Sequence, residues 1–317
     1  MLGRRRVGGV VFTLVTVMLC ACTGAPDRRG EAARLETAIA GMPGVQSFSA
    51  SITNDITYGA TLRLEADMSA ASEEQIAAVV SRIKELERDD FDKYEQTTEF
   101  SVGDGVSVQR NADFDPEQIA GDARRLRQLK STLQTSVGTM SWFRSKSADT
   151  MEFRDAENPQ QILTAVRGVA ADQAVKVTIS NRSGATDPLW TVTFPFTADQ
   201  QTSVLNLLTA LPTSVSAVDV DEGHIARLSV GIKAGSDPER DITTVINSIG
   251  PTTRHPLYLQ WGGYSPDPTR GFQGSVDIAA CAYGAKTLGD EDPEKYYTAD
   301  AIALQKKLRT QYDTCRR

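Results

Sequence analysis

Apolar residues recur along this chain in two alternating periods. One is spaced by threes and fours: Ile76, Val79, Val80 and Ile83; Ile119, Ala123, Leu126, Leu129 and Leu133; Ile162, Leu163 and Val166; Val204, Leu207, Leu208 and Leu211; Ile242, Val245, Ile246 and Ile249. That spacing places each set on one helical face. An earlier stripe, Leu35, Ala38, Ile39 and Met42, predicts one more helix at the front. Between the stripes the period falls to two, as in Phe48, Ala50 and Ile52 and again in Leu62, Leu64 and Ala66, the pattern of half-buried strands.

The helix starts are marked. Ser72-Glu73-Glu74-Gln75 reads as a capping box, while Asp115-Pro116 and Asn158-Pro159 combine a polar cap with proline in the first turn. Thr197 to Gln200 and Asp237-Pro238-Glu239 continue the series. In each case a side-chain oxygen can accept an N–H that the first helical turn leaves unpaired. The strand pairs turn back through Gly59, Asp104-Gly105, Ser183-Gly184 and Glu222-Gly223, and the last pair, Leu257 to Trp261 and Phe272 to Ala279, through the loop Ser265 to Gly271.

The starts repeat roughly every 40 residues, which predicts a tandem array. The expected class is α+β, with α-β-β repeats forming small antiparallel-rich sheets and helices packed on one face. Leu133-Gln-Thr-Ser-Val137 and Leu211-Pro-Thr-Ser-Val215 hold equivalent places, and Met42-Pro-Gly-Val45 is a looser copy. That coarser repeat pairs the units into modules at 31–112, 113–195 and 196–280, followed by a C-terminal helical cap at 281–317. Grouping the units into two lobes of three is the alternative. In the cap, Thr298 precedes a stripe of Ala301, Ile302, Leu304 and Leu308, with Tyr312 a turn on, expected to pack on the last sheet and close an open edge or face.

The N-terminus has another character. Arg4-Arg5-Arg6 precedes an apolar run from Val7 to Leu19, which ends in Leu19-Cys20-Ala21-Cys22. This resembles a bacterial lipobox, with small Ala21 before the cut and leucine at −3. The resemblance implies a signal peptide at 1–21, lipidation of Cys22, often with palmitate-type acyl chains, and a short tether at 22–30. Cys20 is the competing acceptor, with the larger Leu19 before it. An uncleaved helix is the other reading, since Val7 to Ala25 approaches the ~20 residues that span a bilayer. The anchor would place the protein on the extracytoplasmic face of the cell membrane.

Charge and cysteines fit that compartment. The net charge is −7, and removing residues 1–21 takes away three arginines and no acid, leaving about −10, which disfavours nucleic acid and general attraction to anionic lipid. Cys281 and Cys315 are then the remaining thiols, expected to pair as a disulfide outside the cell.

Catalytic patterns are scarce, and no catalytic, cofactor or metal residue is assigned. The two histidines, His224 beside a hairpin turn and His255 before a proline, do not have zinc-ligand spacing and read as surface residues. Ser81-Arg-Ile-Lys84 has a Ser-x-x-Lys spacing, but Ile83 lies on the helix's core stripe. Gly284-Ala-Lys-Thr287 lacks the phosphate-loop core, Asp290-Glu-Asp292 lacks calcium-loop spacing, and Asp219 and Asp221 flank a turn. Trp190 and Trp261 read as core; aromatics exposed together on one sheet face would instead make a binding platform.

Pro43-Gly44-Val45, a hairpin through Gly59, the Leu62-Leu64 strand and the Ser72 helix together loosely resemble the BON-type αββαβ envelope domain. That resemblance implies binding of envelope lipids or proteins without catalysis; the charged Glu85–Glu95 stretch departs from it. The signal type and the Ala/Thr/Val/Asp-rich style are similar to actinobacterial cell-envelope lipoproteins of unknown function. The expected function is a non-enzymatic binding or envelope-structural module, with envelope protein, lipid or glycan as partner. A cell-wall-directed hydrolase using unidentified carboxylates is the alternative.

Overall fold

The computed structural model describes residues 25–55, 59–112, 114–147, 149–170, 173–182, 187–265, 269–279 and 292–312. The elements run α1 (Arg29–Ala40), β1 (Ser47–Asp55), β2 (Gly59–Asp67), α2 (Glu73–Glu87), β3 (Glu95–Gly103), β4 (Val106–Arg110), α3 (Pro116–Leu133), β5 (Thr139–Arg144), β6 (Asp149–Ala156) and α4 (Pro159–Ala170). They continue β7 (Lys176–Asn181), β8 (Leu189–Thr193), α5 (Ala198–Thr209), β9 (Ser214–Asp221), β10 (His224–Ile232), α6 (Pro238–Ile249), β11 (Leu257–Gly263), β12 (Phe272–Ile278), α7 (Pro293–Tyr296) and α8 (Ala299–Tyr312).

The class is α+β, as the periodicities require. The caps form where the sequence places them. Ser72 and Thr197 make reciprocal capping boxes with Gln75 and Gln200, Asp115 accepts from the N–H groups of Glu117 and Gln118, and Asn158 accepts from Gln161 at 3.1 Å. Such a cap contributes ~1 kcal/mol. At the β9–β10 turn Glu222 and Gly223 both have positive φ, 48° and 79°, the tight hairpin geometry that suits the twist of the strands. Ser183-Gly184 lies outside the described residues.

The small-sheet expectation is corrected. All twelve strands form one mixed sheet in sequence order. Hairpin partners are antiparallel, while the strands flanking α2 to α6 pair in parallel, β2 with β3 through to β10 with β11. The physical reason is the cost of strand edges: separate sheets would leave a row of unpaired N–H and C=O groups at each boundary. The sheet is continuous across residues 112/113 and 195/196.

Cross-strand partners share a face, and the buried ones follow one face throughout: Leu64, Phe100, Val108, Trp142, Met151, Val177, Val192, Val220, Leu228, Leu259 and Val276. The helices pack on that face, with α1 to α4 lying side by side. Arg63, Glu65, Lys176 and their neighbours on the opposite face remain exposed.

Strand direction reverses at each hairpin and is kept across each helical crossover, which defines the two ends of the sheet. At one end β1, β4, β5, β9 and β12 finish and β3 and β10 begin. The N-terminal segment docks there. Asn54 Nδ2 donates to Ala25 O at 3.4 Å, Tyr94 Oη donates to Pro26 O, and Arg28 pairs with Asp90 at 3.3 Å. We call this the tether end, after the tether expected at 22–30 from the sequence. Among the described residues no helix is long and apolar enough to cross a membrane.

Candidate functional site

Three clefts stand out, two at the tether end and one at the far end. The most positively charged lies where β4 and β5 finish. Arg110 and Arg144 close these strands and stand opposite each other in the parallel ladder. Both continue an inward-facing alternation, Val106-Val108-Arg110 and Met140-Trp142-Arg144, so the backbone period points two guanidiniums at the helix layer. Asp122 of α3 meets them, fully buried, with Arg110 at 2% exposure.

The contacts are dense. Arg110 bonds Asp122 through Nη2 and donates through Nη1 to the carbonyls of Gln109 (2.8 Å) and Trp142 (3.3 Å). Arg144 Nε lies 2.9 Å from Asp122 Oδ2 as an ion pair without hydrogen-bond alignment, and its Nη1 is 3.1 Å from Asp149. Arg125 adds a third guanidinium at 3.2 Å from Asp122. The Trp142 indole donates to Asp149 at 2.6 Å, while the Arg144 guanidinium stacks 4.2 Å above its ring.

Burial dominates the electrostatics of this cluster. Loss of water holds the Asp122 carboxyl above its ordinary value, opposed by the Arg144 and Arg110 charges. The same burial lowers the Arg110 guanidinium, opposed by Asp122. Beside the cluster opens a cavity of about 530 Å³ lined by Arg110, Gln118, Arg144, Ser145, Lys146 and Ser147, among others.

The second cleft unites residues that the sequence keeps apart. His224, opening β10, and His255, before β11, stack with ring centroids 3.7 Å apart and planes at 23°. The parallel β10–β11 pairing brings the two strand starts together across α6. Asp221, Glu222 and Asp277 line the same cleft, about 190 Å³ in volume. Among the described residues neither imidazole hydrogen-bonds a carboxylate, the contact that would orient a general base, and no group of three His, Cys, Asp or Glu side chains is placed to hold a metal ion.

The third cleft, about 560 Å³, lies at the far end between the start of α4 and the end of α5. Gln201 ties the two helices together, donating to Gln160 O at 3.3 Å and accepting from Arg167. Beyond that tie they leave a groove floored by Trp190, Leu205, Leu208 and Val215.

The sequence-predicted sites fare differently. Cys22, Cys281 and Cys315 lie outside the described residues. Trp142, Trp190 and Trp261 are all in the core, at 0%, 3% and 3% exposure, so they make no aromatic platform. Ser81 donates to Ala77 O within its own helix, at 2.9 Å. Asp219 sits opposite Arg227 on the open face. The arginine cluster was not anticipated, although a signal existed: Asp122 lies within the apolar face of α3, three residues after Ile119. Compared with protein-family models, with curated proteins and with solved structures, the chain matches none.

Proposed function

We propose that this protein is a lipid-anchored, non-enzymatic envelope module, a tandem array of six α-β-β units whose open sheet face binds an extended polyhydroxylated polymer such as a cell-wall glycan. The open face carries this reading. One row of residues crosses it by direct pairing: Ser47, Asp67, Ser101, Ser107, Ser141, Glu152, Thr178, Thr191, Asp219, Arg227 and Tyr258. None of them is buried and none is aliphatic. At about 4.8 Å between strands the row extends about 50 Å. Hydroxyls, carboxylates and a phenol in register offer donors and acceptors along a line, as a polyol chain does. A repeat array supplies this geometry naturally, because each unit adds the same two strands.

The anchor reading is supported by the docked segment at residues 25–28. Ala25 is three chain steps from Cys22, a reach of at most ~11 Å, so a lipid on Cys22 would hold the tether end close to the membrane. The first five elements also follow the αββαβ order of the BON-type domain.

Co-sedimentation of the full chain with purified cell-wall glycan tests the binding reading. Retention of wild type, lost when Ser141→Arg and Thr178→Arg are combined, supports it. Equal retention of the variant, or capture of an envelope protein but no glycan, overturns it. The hydrolase reading keeps one observation in its favour, the histidines stacked among carboxylates. Glycan cleavage that vanishes in His224→Ala would establish it in place of the binder.

A further inference from the structure

We propose that the cavity at the ends of β4 and β5 binds a phosphate-type oxyanion. Four observations converge. Among the described residues the cluster holds three guanidiniums, Arg110, Arg125 and Arg144, against two carboxylates, Asp122 and Asp149. An excess positive charge next to a low-dielectric interior favours an anion. Arg110 lines the cavity at 2% exposure, yet its Nε has no hydrogen-bond partner among the described residues. The cavity has room for the ligand, and its mouth carries Ser145, Lys146 and Ser147, hydroxyl and ammonium donors of the kind that complete an oxyanion shell.

Position adds to this. The site lies beyond the carboxyl ends of two parallel strands, at the start of the helix that crosses between them, where open α/β sheets commonly bind ligands. Asp115 already caps that helix by accepting from Glu117 and Gln118, so the arginines and the β5–β6 hairpin, not the helix terminus, supply the binding charge. The cavity also opens at the tether end, so the anion has two possible sources, free phosphate or the phosphodiester of a lipid headgroup. The chain's overall negative charge opposes broad attraction to an anionic membrane, which leaves a shaped, local site as the way to engage one headgroup.

The site itself does not depend on the lipid anchor, and calorimetry of the full chain in detergent with inorganic phosphate tests it directly. Saturable binding is expected, weakened at least tenfold in Lys146→Glu, an exposed position whose substitution leaves the fold intact by thermal melting. Arg144→Lys, which keeps the charge and loses the fork, should weaken it too. Absence of phosphate binding in wild type, or identical binding in Lys146→Glu, overturns the proposal and leaves the arginines as a structural ion-pair network. Flotation with phosphatidylglycerol and phosphatidylcholine vesicles separates the sources. Phosphatidylglycerol binding of the Cys22→Ala chain, competed by phosphate, assigns the headgroup; phosphate binding without vesicle binding assigns the free anion. Loss of fatty-acid labelling would affect neither arm.

Discussion

The Gln305 side chain accepts the backbone N–H of Ser275 through Oε1 at 2.8 Å. One helical turn later Arg309 Nε donates to the carbonyl of the same residue at 3.0 Å, and its Nη2 to the Ser275 hydroxyl. Ser275 lies on β12, the last strand of the sheet among the described residues, and α8 supplies side-chain partners along its outer edge. Sheet edges otherwise invite pairing with other chains. Leu308 and Ala301, both fully buried, hold the helix there, and Lys307 pairs with Glu239 of α6 at 2.6 Å.

Replacing both Gln305 and Arg309 by alanine should therefore remove the partners that α8 gives to two backbone groups of β12. At about 1–3 kcal/mol for each buried group left unsatisfied, the melting temperature falls and self-association rises on size-exclusion chromatography. A double variant that stays monomeric with wild-type stability would show that α8 does not protect the edge.

Gly274 on the same strand lies under the Trp261 indole. A Cβ added at Gly274 would come within 2.2 Å of Trp261 Cζ2 and 3.0 Å of Gln305 Oε1. Gly274→Ala must therefore displace both the core tryptophan and the edge-capping glutamine. We expect a loss of about 1–3 kcal/mol, accompanied by a change in tryptophan emission. Unchanged chemical denaturation would refute this packing.

Glu87, the last residue of α2, is 6% exposed, and burial pushes its carboxyl up to about 8. Its Oε1 has no hydrogen-bond partner among the described residues. Because the folded value lies above the unfolded one, the folded state keeps the proton where the unfolded chain has released it. The contribution is therefore fully present below the unfolded value near 4.5 and is lost as the pH rises toward about 8. Glu87→Gln should stabilise the protein at pH 8 by on the order of 3 kcal/mol relative to wild type and make little difference at pH 4. Parallel denaturation curves at both pH values would contradict this.

The cysteine expectations have direct tests. Cys22→Ala should abolish fatty-acid labelling; labelling that survives there and vanishes in Cys20→Ala would move the acceptor. Peptide mapping of the non-reduced exported protein should find Cys281 joined to Cys315, a closure of ~3–4 kcal/mol in the chain-entropy picture. Free thiols at both residues would exclude the pairing.

The individual helices, strands and turns were legible from local residue patterns. Caps such as Ser72 with Gln75, turns such as Glu222-Gly223, and apolar stripes such as Ile242 to Ile249 act within a few residues. Their information is local and can be read before the chain folds. That the C-terminal helix should pack on the last part of the sheet was expected from its place at the end of the chain pattern, and it does lie against β12, but the residues that make the contact were not expected. The stripe of Ala301, Ile302, Leu304 and Leu308 gave no reason to single out Gln305, because a glutamine at a helix–sheet contact looks like any surface glutamine until a strand's outward-pointing N–H stands beside it.

Which strand meets which, and every contact that follows from it, came from long-range pairing. Hydrophobic alternation fixes the face that a strand buries, but the same pattern suits a strand at the edge of a small sheet or in the middle of a large one. Only pairing of β4 with β5 sets Arg110 beside Arg144, and only pairing of β10 with β11 stacks His224 on His255. These contacts join residues 34 and 31 positions apart. They arise because each parallel crossover carries the chain through a helix and returns it to the same end of the sheet, bringing together strand ends that local sequence cannot relate.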